Sequence, residues 1–169
     1  MDRCTVRILG IDPGYAIVGC GVISYQNNHF GIIHQSAVTT EAKTPFSKRL
    51  HKVYEGVSAL IETYQPEAVA VEELFFQNNQ KTAIDVAQAR GVILLAAEEA
   101  GVPLFEYTPL QVKQSVVGYG RAEKKQVMEM TRILLKLEKM PKPDDVADAL
   151  AIAICHAHNS SSLLSKYTW

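Results

Sequence analysis

The chain has 169 residues, 47% of them hydrophobic, and a formal net charge of −1. That length suits one domain, which buries roughly two thirds of its unfolded surface and needs no disulfide or metal staple to fold. Taken alone, the near-neutral sum argues against a nucleic-acid partner, because phosphate binders are usually basic. Unbroken apolar runs such as residues 92–97 fall far short of the ~20 residues that cross a bilayer.

Residues 6–11, apart from Arg7, are apolar and rich in β-branched residues and predict a buried strand. Gly14 turns the chain, 16–25 read as a second strand, and Gln26-Asn27-Asn28 is hairpin chemistry leading into a third strand over 29–38. A helix follows, with Thr44 as N-cap and Pro45 at its first position. Phe46, Leu50, Val53, Val57, Leu60 and Tyr64 recur on one helical face, and Gln65-Pro66 ends it. Residues 68–71 form a short buried strand. A second helix covers 82–100 and stops at Gly101 and Pro103. Its run 92–97 is apolar all round, so it is either enclosed or part of a subunit interface. A fifth strand spans 102–107, and helices follow over 109–117, 123–137 and 144–158. Residues 1–158 thus read as one domain, and the polar tail 159–169 is expected to fray. Strands 4 and 5 each follow a helix, so right-handed crossovers set them parallel to strand 1. The expected fold class is α/β, a mixed five-stranded sheet flanked by helices, in the order of the ribonuclease H-like fold.

Cys4, Cys20 and Cys155 are odd in number, and the last two sit in apolar runs. They are expected to be free thiols in a reducing compartment. Asp2 and Arg3 precede only a short apolar stretch, which is not a secretory leader. The expectation is a soluble, cytoplasmic protein with no membrane contact.

Four acids carry the chemical signal. Asp12 directly follows strand 1, and Glu72 directly follows strand 4. Ligands of open α/β sheets bind beyond the carboxyl ends of such strands. Asp145 and Asp148 are three apart and share one face of the last helix, whose apolar continuation 149–154 must pack on the core. Each acid alone has an ordinary explanation: a turn residue, a strand-end charge, a favourable charge at a helix N-terminus. Together they come from three elements and point to one end of one sheet. Like charges brought together repel and resist burial, and a divalent cation supplies the compensation. An all-carboxylate set without His or Cys favours Mg²⁺ or Mn²⁺ over zinc, and a pair of such ions about 4 Å apart suits phosphoryl hydrolysis. Charge is also unevenly spread. Residues 109–142 hold eight Lys or Arg against three Glu. Setting the four site acids aside leaves 17 basic against 14 acidic residues, so a basic face can sit beside an acidic pocket, with Gly118 and Gly120 giving flexible backbone near Lys113 and Lys124.

These motifs, in this order and over nearly the whole length, resemble the RuvC family of Holliday junction resolvases. They are Gly10-Ile11-Asp12-Pro13-Gly14, Val71-Glu72-Glu73-Leu74-Phe75, Gln88-Ala89-Arg90-Gly91, the basic segment with Gln111-Val112-Lys113-Gln114 and 117–124, and Asp145-Val146-Ala147-Asp148-Ala149-Leu150-Ala151. The resemblance implies a metal-dependent endonuclease that resolves four-way DNA junctions by paired symmetric nicks in recombination and repair, leaving 5′-phosphate and 3′-hydroxyl ends. It implies metal binding by Asp12, Glu72, Asp145 and Asp148, with histidine at the Asp145 position in some members. It implies a base-wedging role for Phe75 and phosphate contacts for Lys113 and Lys124, with Gln77, Asn78, Arg90 and Arg121 as further DNA-binding candidates. It also implies a homodimer, placed at 92–97, and the RuvA–RuvB branch-migration complex as partner. A polar loop carrying an apolar tip at Phe75 suits a wedge, although Phe75 beside Leu74 and Phe76 also suits plain core. Two rivals remain from the residues: a ribonuclease H-like nuclease acting on RNA or RNA–DNA hybrid, and a non-catalytic junction binder. A sugar-kinase-like ATPase would need a second domain that this length does not hold.

Overall fold

The computed structural model describes residues 5–74 and 80–164. Five strands form one sheet: β1 (Val6–Asp12), β2 (Ile17–Gln26), β3 (His29–Thr39), β4 (Ala68–Glu72) and β5 (Leu104–Tyr107). Their order is β3-β2-β1-β4-β5. β1, β4 and β5 are parallel, and β2 runs antiparallel between β1 and β3. The helices are α1 (Phe46–Tyr64), α2 (Gln80–Glu99), α3 (Pro109–Val117), α4 (Lys124–Leu134) and α5 (Asp144–Leu164). This is the mixed sheet expected from the sequence. The hairpin expected at Gln26-Asn27-Asn28 turns through Asn27 and Asn28, both at positive φ (49° and 63°), the backbone that matches the twist of the flanking strands.

The two sheet faces carry two cores. Alternation along β1 sends Leu9 and Ile11 to one face, where they pack with Val53, Val57 and Ile61 of α1 and Ile93, Ala96 and Ala97 of α2. Ile8 faces the other side, against α3, α4 and α5. Asp12 continues the phase of Ile8 and Gly10, so its side chain belongs to the α5 side.

α5 is the central element of that second layer. Leu150, Ile152, Ile154 and the alanines 147, 149, 151, 153 and 157 are all buried. The helix lies unusually close to the sheet because Gly10, Gly19 and Gly21 face it. A Cβ on Gly10 would stand 2.1 Å from the Ala149 carbonyl oxygen, and one on Gly19 would stand 1.9 Å from that of Asp145. Asp12 pairs with Gly19 across β1 and β2, so this close approach sets the first turn of α5 beside the end of β1. Further down, Tyr107 Oη and His156 Nδ1 stand 2.8 Å apart and join α5 to β5. Burial holds the His156 imidazole down to about 4, so it is neutral at ordinary pH.

Several helix boundaries differ from the sequence reading, among them those of α1, α4 and α5. α1 begins at Phe46 with Pro45 as the capping residue, and Thr44 makes no cap; its amide instead closes a turn on the Glu41 carbonyl at 3.1 Å. α4 ends at Leu134, since Leu135 caps it and Lys136 takes a positive φ of 54°. α5 does not stop at His158 but continues to Leu164, with Asn159 Nδ2 donating back to the Cys155 carbonyl at 2.8 Å. Polarity alone suggested fraying there, but a helix already locked along its length propagates cheaply. Cys20 and Cys155 are buried free thiols. Among the described residues no helix is long and apolar enough to cross a membrane.

The glycine contacts give a direct test. Gly19→Ala should destabilise the protein by about 3 kcal/mol, because backbone rather than a flexible side chain must yield. Thermal unfolding should show this as a Tm lowered by roughly 6–12 °C; an unchanged Tm would mean that α5 does not sit as described.

Candidate active site

Each acid owes its place to a different local rule. Asp12 is the last residue of β1, where the chain leaves the sheet through Pro13 and a turn at Gly14 so tight that a Cβ there would stand 2.1 Å from the Ile17 carbonyl oxygen. Glu72 ends β4, the parallel neighbour of β1. Asp145 and Asp148 occupy the first turns of α5, where a helix N-terminus favours negative charge. Lys124 opens α4, which is set by Glu123, whose amide donates to Gln126 Oε1 at 2.8 Å. Lys113 lies on α3, fixed by a reciprocal capping box between Thr108 and Gln111.

These elements meet in a cleft of about 270 Å³ lined by Glu72, Asp148, Lys113 and Lys124 over a floor of Pro109, Val112, Val127, Ala151 and Ile152. Lys124 Nζ donates to Asp148 Oδ2 at 2.8 Å. The electrostatics show that the four acids share one field. Burial and then the charges of Glu72, Asp148 and Asp145 push the Asp12 carboxyl up to about 8, with Lys124 acting against them. Glu72 is raised by burial and by Asp148. Asp148 is raised by burial, although its bond to Lys124 pulls it down. That same bond raises Lys124.

A single lysine does not balance four acids. Among the described residues no three of these groups already stand close enough to cage an ion. The donors are all carboxylate oxygens on an open cleft, which suits a hard divalent cation that keeps waters and takes substrate oxygens as ligands. The proton affinity of Asp12 is raised first by burial and then by the neighbouring carboxylates, and a cation among them would act against both.

Four of the expected site residues, Glu72, Asp148, Lys113 and Lys124, line one cleft, and Asp12 and Asp145 join them electrostatically, Asp12 through Glu72, Asp148 and Lys124 and Asp145 through Asp12 and Asp148. Arg121 lies exposed in the α3–α4 connection and does not line the cleft. Arg90, on α2, forms an ion pair with Glu106 of β5, and its Nε is buried without a partner. Phe75, Gln77 and Asn78 lie outside the described residues. The sequence reading missed two features: the apolar cleft floor, and the fastening of the 13–16 turn by Thr40, whose amide donates to the Ala16 carbonyl at 2.9 Å. The floor was open to discovery through the buried positions of α3 and α4; the turn contact has no local signal.

The pH dependence of the metal-free protein follows from Asp12. A carboxyl whose folded-state pKa is raised contributes stability that is complete below its ordinary value of 3.8 and is lost as pH rises through about 8. Asp12→Asn removes that loss. Its Tm in EDTA should equal the wild-type value near pH 4 and exceed it at pH 8, and a constant difference across that range would refute the raised proton affinity of Asp12.

Known proteins resemble this chain over nearly its whole length. The family model described as "Crossover junction endodeoxyribonuclease RuvC" matches residues 8–156. A protein of that description from Clostridioides difficile is 60% identical over 153 residues, covering 90% of each chain. One from Caldanaerobacter subterraneus is 54% identical over 158 residues, covering 94% of this chain and 96% of the relative. The solved structure of Thermus thermophilus RuvC in complex with Holliday junction substrate superposes with a TM-score of 0.89 at 39% identity, over 93% of this chain and 96% of the other.

Proposed function

The chain belongs to the RuvC family of crossover junction endodeoxyribonucleases, and from that membership we propose how its cleft works. The chain is a structure-selective endonuclease that resolves four-way DNA junctions in recombination and repair, and its family is dependent on divalent metal. The observation that carries the mechanism is the convergence of carboxylates from β1, β4 and α5 at one end of the sheet, where burial and then Glu72, Asp148 and Asp145 raise the proton affinity of Asp12, and burial and then Asp148 raise that of Glu72.

Asp12, Glu72, Asp145 and Asp148 are the residues that would hold Mg²⁺, or Mn²⁺ in its place, in our reading two ions per site. Bound there, such ions supply Lewis acidity toward a phosphoryl oxygen and a more acidic water. The protein's own groups do the rest. Lys113 and Lys124 flank the cleft, and Lys124 exchanges its Asp148 partner for a scissile-phosphate oxygen, where its charge stabilises the transition state. Val112, Val127 and Ile152 form a dry floor that strengthens these interactions. In-line hydrolysis then leaves a 5′-phosphate and a 3′-hydroxyl.

Symmetric cutting requires two sites related by a twofold axis, and we place the dimer contact on α2. Ile93, Ala96 and Ala97 of its apolar run face the core, whereas Leu95 is 51% exposed and Ile84, three turns earlier on the same face, is 59% exposed. That outward stripe supports a subunit interface over a fully enclosed helix. Phe75 as base wedge, Gln77, Asn78, Arg90 and Arg121 as DNA contacts, the RuvA–RuvB complex as partner and a cytoplasmic location are proposed on family resemblance.

The test is cleavage of a synthetic four-way junction with Mg²⁺ and with EDTA, beside plain duplex and RNA–DNA hybrid. Paired symmetric nicks should appear on the junction with metal only. Asp12→Asn should slow cleavage at least about 10³-fold, equivalent to about 4 kcal/mol, while junction binding persists. Lys124→Gln should cost about 10²–10³-fold. An Asp12→Asn protein that still cuts would remove Asp12 from the mechanism.

A further inference from the structure

The lysines of the cleft belong to α3 and α4, on one face of the sheet. The other face carries a second basic cluster at the same end of the strands. Within residues 40–52, Lys43, Lys48, Arg49 and Lys52 stand against a single acid, Glu41. Lys43, Lys48 and Lys52 are exposed, and none of them forms an ion pair among the described residues.

Arg49 beneath them is 8% exposed. Its Nε donates to Thr40 Oγ1 at 2.8 Å, its Nη2 reaches the Tyr15 carbonyl at 3.5 Å, and its guanidinium carbon lies 4.7 Å from the centre of the Tyr15 ring. All three partners are neutral, and a guanidinium does not give up its proton. Its charge therefore adds to that of the lysines above.

The location is set by the same contacts. Tyr15 belongs to the turn that follows Asp12, and its ring meets Phe46 edge-on at 6.0 Å. The start of α1 is thus fastened to the turn that leaves the catalytic strand. Arg49, Val53, Val57 and Ile61 form the buried stripe of α1. Lys48 and Lys52 each precede a stripe residue, so they lie about 100° around the helix. This is the flank on which Gly56 meets Val38 of β3. The opposite flank is taken by Tyr54, whose hydroxyl donates to Glu99 of α2.

We propose that Lys43, Lys48 and Lys52 form a second phosphate-binding track, which holds the backbone of a junction arm on the sheet face opposite α3 and α4. The proposal rests on the reading of the chain as a junction nuclease. Ammonium groups on flexible stems follow phosphates without base preference. A strand crossing the end of the sheet must pass carboxylates that repel it, and cations on both faces hold it across them.

The experiment is junction binding by the full chain, in EDTA, over a series of salt concentrations. Lys43→Gln/Lys48→Gln/Lys52→Gln should lower the slope of log K against log salt by about 2–3, near 0.9 for each phosphate no longer neutralised. The triple arginine variant should keep the wild-type slope. A glutamine variant with the wild-type slope overturns the track, and so does an equal loss in the glutamine and arginine variants, which would report damage to the fold. A wild-type protein that binds duplex as tightly as junction would overturn the junction reading instead, while the slopes would still decide the track. A wild-type protein that binds neither DNA would overturn both.

Discussion

The seating of α5 on a glycine surface is the constraint on which the site depends. Backbone carbonyls of Asp145 and Ala149 lie where side chains of Gly19 and Gly10 would otherwise be. No other residue permits that approach, because any Cβ would meet main-chain oxygen rather than a side chain that could swing aside. The consequence is geometric. β1 delivers Asp12, its parallel neighbour β4 delivers Glu72, and the lowered helix delivers Asp145 and Asp148 into the same field. The alanines of α5 serve the same end from the other side, keeping the helix slim enough to lie between the sheet and the α3–α4 pair.

Bringing four carboxylates together costs stability, and the structure meets that cost with the apolar frame around them. α5 contributes Leu150, Ile152 and Ile154, all fully enclosed, each worth about 1.5–3 kcal/mol relative to exposure. Lys124 offsets part of the repulsion through Asp148. This pair is more than half exposed on the lysine side, so its contribution to folding is small. Its greater value is that the lysine stands at the cleft without being locked into it. A site left short of positive charge is a strained part of the fold in isolation and a ready one for cations and phosphate. The same imbalance therefore weakens the metal-free protein as pH rises and prepares it for its substrate.

Much of this was legible in the sequence, for a physical reason. Strands and acids announce themselves locally: a β-branched run ends in a carboxylate twice, and the sheet geometry then brings the two ends together. Asp145 and Asp148 were legible because helical spacing and the apolar run after them fix which way they face. What the sequence hid depends on contacts between distant segments. Gly10, Gly19 and Gly21 looked like ordinary strand glycines until a helix was laid over them. Thr44 had the right chemistry for a cap, yet Pro45 takes the cap position and the helix begins one residue later than expected, at Phe46. The tail beyond His158 looked too polar to hold a helix, but the buried length of α5 carries it on to Leu164. Arg90 stood as a DNA-binding candidate, and only the fold shows Glu106 beside it.

Net charge misled for the same reason that it usually does: it has no location. The sum of −1 joins a cluster of acids at the end of the sheet to cations distributed around it. Among the described residues, α1 to α5 all begin at that end. α1 starts against the turn after Asp12, α2 and α3 follow strands that finish there, α4 opens with Lys124 at Asp148, and α5 opens with the acids themselves. Exposed helix N-termini add partial positive charge to the lysines near them. The active end of the molecule is thus a negative centre with a positive surround. That arrangement attracts a polyanion from a distance and resists it only at the point where the backbone must be cut. Cations that enter with the DNA or before it resolve the conflict, and so the place where binding is least favourable without metal is the place where metal makes hydrolysis possible.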